Sequence, residues 1–321
     1  MISEPNSPAV ANGGWLLTVI VPVFNEEDCL REFYSRVTEV LEKSVGRFEY
    51  IFINDGSKDR SASILKELSE KDPRVKVLDF ARNFGHQIAV KAGLDHAYGD
   101  AAVIIDADLQ DPPEAILEMV KKWQEGYEVV YAVRQSREGE TIFKKWTAAF
   151  FYRTLKKISQ LDLPVDTGDF RLVARPVVEV LRQIHERKPY LRGLVTWVGF
   201  RQTGIPIERA ARFAGTTKYP LKKMMQLAWS GVTHFSFVPL QIATWVGLFT
   251  ALLCLAWITQ ALYVRCVLQV AIPGWTSLMV AILFLGAVQL LTLGILGSYV
   301  GRTYDEARAR PLYILREKKG L

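Results

Sequence analysis

Asp106 and Asp108 are the residues of this chain best placed to do chemistry. They close the apolar run Ala102-Val103-Ile104-Ile105, which reads as a buried parallel strand. Two carboxylates two residues apart at a strand's carboxyl end can share one hard divalent cation. Such a cation completes its shell with water and with phosphate oxygens of a substrate. Open α/β sheets bind their ligands along that edge. The triplet Asp106-Ala107-Asp108, with Gln110 just beyond it, points to metal-assisted handling of a diphosphate. An isolated pair of this kind is more often two solvated carboxylates on a loop, so the other strand ends decide.

Those ends carry polar residues one after another. The run Leu17–Val23 contains Pro22 and leads into Asn25 and Glu27, and the run 50–54 leads into Asp55-Gly56-Ser57. The run Val75–Phe80 leads into Arg82-Asn83-Phe84-Gly85, and 129–133 into Arg134. A carboxylate at Asp55 can accept a hydrogen bond from a nucleobase N–H; the plainer alternative is a turn followed by a helix cap. Arg82 offers a guanidinium to a base or to phosphates.

The elements that must position these residues follow from the pattern. Helix-like segments at 27–43, 59–71, 87–98 and 113–125 alternate with the strand candidates. This alternation predicts a doubly wound, mostly parallel α/β domain over about residues 15–220. Residues 1–14 read as a disordered lead-in; they are polar, begin without basic residues and make no signal peptide.

Half of the 321 residues are hydrophobic, and the excess lies late in the chain. No Asp, Glu, Lys or Arg occurs from Met224 to Val264, nor from Cys266 to Gly301. Each window holds one stretch of the roughly 20 apolar residues that a bilayer crossing needs. The expected spans are 238–264 and 277–300 within a two-helix membrane domain at 237–301, with Pro273-Gly274 at the turn. Lys222 and Lys223 precede the first span, while Arg302, Arg308, Arg310, Arg316, Lys318 and Lys319 follow the second. That bias predicts both termini and the catalytic domain on the cytoplasmic face, with 302–321 as a cytoplasmic tail. Segments 143–158 and 221–236 mix basic with aromatic residues and are expected to lie along the membrane surface.

Several function classes drop out. The net charge of +6 suits an anionic leaflet; the basic and aromatic segments are assigned to the membrane surface and no nucleic-acid-binding module is recognisable, so nucleic acid is not an expected partner. No G-x-G-x-x-G follows the first strand, which excludes a dinucleotide oxidoreductase. Cys29, Cys254 and Cys266 lack metal-ligand spacing and read as reduced packing residues. The four histidines are scattered, and His86 reads as a helix-start residue.

Taken together, the motifs VPVFNEE (21–27), INDGSKD (53–59), RNFG (82–85), DADLQDPPE (106–114), GDFRL (168–172), RFAGTTK (212–218) and LGSYVGRTY (296–304) resemble glycosyltransferase family 2. The match is strongest to its polyprenyl-phosphate glycosyltransferases, and the two predicted spans favour the bactoprenol glucosyltransferase branch over the dolichol-phosphate mannosyltransferases. The resemblance implies a GT-A fold, a nucleotide-sugar donor, Mg²⁺ or Mn²⁺, and transfer with inversion to a polyprenyl phosphate in the bilayer. It places Pro22, Asn25, Glu27, Asp55, Arg82 and Asp106 around the donor. It gives Asp106, Asp108 and Gln110 to the metal, and Asp169, Asp108 and Arg134 to the reacting centre. Lys145, Arg212 and Lys218 fall to the lipid phosphate. It also implies a homo-oligomer, a tetramer in many relatives.

UDP-glucose is the donor the resemblance favours, with GDP-mannose or a modified UDP-arabinose as alternatives. The nucleophile would be a lipid phosphate monoester. Its second pKa near 6 leaves it largely dianionic at neutral pH, so no strong base is required, and Asp169 is open as weak base or positioning group. A processive polysaccharide synthase is disfavoured because Gln226-Leu227-Ala228-Trp229 is no Q-x-x-R-W. The non-enzyme alternative is a nucleotide-sensing membrane scaffold. A chain ended before His234 is expected to keep donor binding and lose lipid transfer.

Overall fold

Runs rich in branched and aromatic residues build the sheet, because a parallel strand covered on both faces is mostly apolar; the buried exceptions Thr18 and Glu49 hydrogen-bond each other at 2.9 Å. The computed structural model describes residues 14–134, 167–187, 189–208, 238–267 and 274–321. β1 (Leu17–Val23) and β2 (Phe48–Asn54) are buried at every position. β3 (Val75–Phe80) and β4 (Ala101–Ile104) flank them, and helices α1 (Leu30–Ser44), α2 (Ser61–Lys71), α3 (His86–His96) and α4 (Ala115–Gln124) alternate with the strands. α1 illustrates the logic: Leu30, Phe33, Val37 and Leu41 recur at helical spacing and all four are buried.

β2 and β4 pair parallel with β1, and β3 pairs parallel with β2. The sequence pattern runs this strand into Asp106; the paired register ends at Ile104 and the last bond to β1 is from the Ile105 N–H to Ile20 O (3.1 Å), so the acidic triplet begins just beyond the ladder. The remaining strands are β5 (Val129–Arg134), β6 (Thr167–Ala174), β7 (Gln202–Ile207) and β8 (Leu315–Lys319), with α5 (Arg175–Gln183) and α6 (Leu191–Trp197) between β6 and β7. The full order is β7-β5-β6-β4-β1-β2-β3-β8. β6 runs antiparallel to both β4 and β5. Its N-terminal end therefore lies at the edge where β4 ends, which carries Asp169 toward Asp106.

The described residues form two units: 14–134, 167–187, 189–208 and 310–321 in one, 238–267 and 274–309 in the other. In the second, α7 (Val238–Cys266) and α8 (Trp275–Ala307) pack together. Among the described residues, Val280–Ala307 is long and apolar enough to cross a membrane, with mean hydropathy 2.3, and Ala243–Trp257 is a shorter apolar helix. The surface segments expected at 143–158 and 221–236 lie outside the described residues.

One expectation is corrected. The stretch 302–321 is not a tail beyond the catalytic domain: α8 continues to Ala307, and Leu315–Lys319 is an edge strand of the sheet, antiparallel to β3. Its sequence Leu-Arg-Glu-Lys-Lys is charged, as an edge strand must be to avoid pairing with other chains, and that same charge disguised it as tail.

Candidate active site

The strand ends converge, and the loops they carry fasten one another. After β1, the Asn25 side chain accepts from the Lys58 N–H (2.8 Å), and Asn25 itself takes φ +56°. Glu27 accepts from the Arg60 N–H (2.9 Å) and its guanidinium (3.2 Å). The Glu26 N–H donates to Ser61 Oγ and the Glu27 N–H to Asp59 Oδ2. Asn25 and Glu27 thus join the first loop to the second. Pro22 lies within β1 opposite Ile53, buried.

Asp55 is 3 % exposed. Its carboxylate accepts from the N–H groups of Phe84 (2.6 Å) and Gly85 (3.0 Å), and Asn83 Nδ2 donates to its carbonyl (3.1 Å). Burial pushes its pKa up, against those two amides and the charge of His86. The third-strand loop is therefore wrapped around Asp55. Arg82 is exposed, its guanidinium 4.5 Å from the centre of the Phe84 ring.

Gly56 makes that wrapping possible. It has φ +67°, and a Cβ there would stand 2.5 Å from both Arg82 C and Asn83 N. Any side chain must push the RNFG loop off Asp55. We expect Gly56→Ala to raise the donor KM by roughly tenfold or more with kcat little changed, read by steady-state kinetics, since ground-state and transition-state binding are lost alike.

Asp106 and Asp108 leave β4 on a bend in which Leu109 holds φ +58°. Asp108 is 6 % exposed, and the Gln110 N–H donates to its Oδ1 at 3.2 Å. Gln110 thus orients Asp108 through its backbone. Burial, with the neighbouring charges of Asp169, Asp108 and Asp111, pushes Asp106 up to about 6 against the pull of His86. Among the described residues, no group of three or more His, Cys, Asp and Glu side chains is already gathered as a ligand set. Crowded carboxylates short of a complete cage are what a Mg²⁺-type ion shared with a substrate's phosphates requires. The residues fit such an ion, and Asp106 and Asp108 are the ones that would hold it.

Asp169, early in β6, is held on several sides. Arg192 of α6 donates to Oδ1 from Nε (2.8 Å) and to Oδ2 from Nη2 (3.2 Å). His86 Nε2 lies 3.2 Å from Oδ2 and 3.8 Å from Asp106 Oδ1, and Gln87 Nε2 donates to Oδ2 at 3.2 Å. Burial works against the ionised form. The hydrogen bonds from His86 and Arg192, and the charges of Arg192 and Arg171, still hold the carboxyl well below the usual range. A carboxylate that acidic and that fully engaged is a poor proton acceptor, so the geometry favours positioning over base catalysis. For His86, burial opposes the cation, but the Asp169 hydrogen bond and the charges of Asp106 and Asp169 raise its pKa.

From sequence alone His86 reads as a helix-start residue in preference to one that approaches the donor, and neither Gln87 nor Arg192 is named as a site residue. His86-Gln87 directly follow RNFG at the start of a helix facing the strand ends, which was a usable signal. Arg192 reaches Asp169 only through the tertiary fold. The backbone of Arg134 ends β5; Lys145, Arg212 and Lys218 lie outside the described residues.

A family model described as glycosyl transferase family 2 matches residues 18–182, the stretch that carries the first four strand-end loops and Asp169. The chain belongs to glycosyl transferase family 2. It is similar over nearly its whole length to an uncharacterized glycosyltransferase, YkcC, of Bacillus subtilis (52 % identity over 304 residues, 95 % of this chain and 94 % of the relative). It is also similar to a prophage bactoprenol glucosyl transferase homolog of Escherichia coli (43 % over 303 residues, 94 % and 99 %) and to the bactoprenol glucosyl transferase of Shigella phage SfV (43 % over 303 residues, 94 % and 99 %). This glycosyltransferase has a GT-A-like, mostly parallel sheet, and its acidic triplet and Asp169 stand at one edge of that sheet.

Proposed function

We propose that this glycosyltransferase moves glucose from UDP-glucose, with inversion, onto a polyprenyl phosphate at the cytoplasmic face of the cell membrane. The observation that carries the reading is the 43 % identity to proteins named bactoprenol glucosyl transferases, which extends over 94 % of this chain and so includes the apolar helices. α7 has 29 residues and α8 has 33, each beyond the roughly 20 that one crossing needs. Large apolar side chains on both, among them Phe249, Leu252, Trp257, Leu290 and Leu293, are exposed, which suits lipid and not water. We therefore read both as spans.

In this mechanism Asp55, fixed by the Phe84 and Gly85 amides, is the group offered to the nucleobase. Asp106 and Asp108 hold Mg²⁺ or Mn²⁺, which when bound supplies Lewis-acid stabilisation of the leaving nucleoside diphosphate. Asp169, aligned by Arg192, Gln87 and His86, orients the sugar. Arg134, Lys145, Arg212 and Lys218 are assigned to the donor and acceptor phosphates, where fixed cations set the line of attack. The dianionic acceptor needs no deprotonation.

The test is transfer by the purified full chain from radiolabelled UDP-glucose, GDP-mannose and UDP-aminoarabinose to short polyprenyl phosphates, with and without Mg²⁺ or Mn²⁺. We expect a lipid-linked product from UDP-glucose that disappears on chelation. Product from another donor alone would reassign the sugar. Binding of nucleotide with no transfer from any donor would favour the scaffold reading.

A further inference from the structure

The C-terminal segment grips the two residues that lead into the RNFG loop, Phe80 and Ala81. The two backbone groups of Ala81, the residue just before Arg82, are both engaged by it. The Ala81 N–H donates to Ile314 O (2.9 Å), and Arg316 Nη2 donates to Ala81 O (3.2 Å). Tyr313 stacks on Phe80 with ring centroids 5.2 Å apart and planes 15° from parallel. The other edge of that contact continues inward, for Phe80 meets the Phe84 ring at 5.5 Å. Phe84 donates the shortest hydrogen bond that Asp55 receives.

The same tyrosine reaches the element on the far side of the loop. Its hydroxyl donates to Asp95 Oδ2 of α3 (3.3 Å), and Asp95 also pairs with Lys91, a lysine only 2 % exposed. Lys91 donates in turn to Arg182 O of α5 (3.2 Å). α3 begins with His86 and Gln87, which hold Asp169. The RNFG loop is thus bounded by β3 and α3, and Tyr313 braces both.

We propose that residues 310–319 are a strap that holds the donor site in shape, with Tyr313 as its positioning residue. Tyr313 touches no reacting atom; it acts through Phe80 and Phe84 on Asp55, while Ile314 and Arg316 of the same strap hold Ala81. The strap follows α8 in the chain, so the donor site is completed only after the last apolar helix has been made. This deepens the UDP-sugar reading above and rests on it for the identity of the ligand.

The experiment compares full-length wild type, Tyr313→Ala, Tyr313→Phe and Arg316→Ala. The first readout is amide exchange in the absence of any donor. We expect Tyr313→Ala to speed exchange at Phe84 and Gly85 by about tenfold or more while β1 amides are unchanged, since local opening is separable from global unfolding. The second is UDP-glucose kinetics, where we expect the donor KM to rise about tenfold with kcat within about twofold. Tyr313→Phe, which keeps the stack, should restore most of both. Arg316→Ala, at a side chain 67 % exposed and so safe for folding, should move both in the same direction by less. Unchanged exchange at Phe84 and Gly85 in Tyr313→Ala overturns the strap, as does faster exchange with an unchanged donor KM. Failure of wild type to use UDP-glucose, with exchange responding as expected, would count against the donor reading and leave the strap standing.

Discussion

Asp108→Ala is expected to lower kcat/KM for sugar transfer by about a thousandfold or more, the loss of several kcal/mol of charge stabilisation on the leaving diphosphate. Asp108 is the more buried of the two carboxylates that leave β4, and its Oδ1 is already oriented by the Gln110 N–H. Asp106 alone would then be left to hold the cation, and one carboxylate gives a divalent ion fewer oxygens than two. Asp108→Asn keeps the volume and the Gln110 contact but halves the available oxygens, and it should lose nearly as much. The assay is transfer by purified enzyme across a metal titration to saturation. Turnover near wild type at saturating Mg²⁺ or Mn²⁺ would remove Asp108 from the site.

The second large effect is at Asp169. If it positions and does not accept a proton, Arg192→Ala should reproduce much of the damage of Asp169→Asn. Loosening an aligned group by about an ångström costs on the order of a hundredfold in rate, so we expect losses of that order in kcat for Asp169→Asn and roughly tenfold for Arg192→Ala. The pH profile separates the roles. Arg192 and His86 keep the folded-state carboxyl well below its ordinary value, so it is ionised throughout the working range. Removing Arg192 lets that pKa rise, and the acidic limb of kcat should move to higher pH. A full loss in Asp169→Asn with Arg192→Ala indistinguishable from wild type would instead support a base.

The strap changes how the enzyme is best divided. From sequence, a chain ended before His234 should keep its donor site. Such a chain lacks β8, and with it the Ala81 and Phe80 contacts, so the structure leads us to expect weakened donor binding as well as lost transfer.

The catalytic fold was legible where one local rule governed. β1 and β3 match their predicted limits residue for residue, and the α1 to α4 helices fall within a few residues of theirs, because β1 is an apolar-rich buried run, β3 is apolar except at Lys76 and Asp79, and the helices between are amphipathic. Asp55, Asp106 and Asp108 were legible for the same reason, as polar residues at the ends of such strands. The two charge-free stretches near the end of the chain announced helices α7 and α8.

What the sequence by itself could not fix were the pairings made across long separations. β6 runs antiparallel beside β4, a direction no local pattern encodes, and that reversal sets Asp169 near His86 and Asp106. Arg192 lies 23 residues beyond Asp169 and faces it only because α6 folds back over the strand ends. β8 pairs with a strand more than 200 residues earlier, and its charged face, an edge strand's protection, reads locally as a solvated tail. Propensity and periodicity act over one element, whereas hydrogen-bond ladders and ion pairs are decided by which elements the whole chain brings side by side.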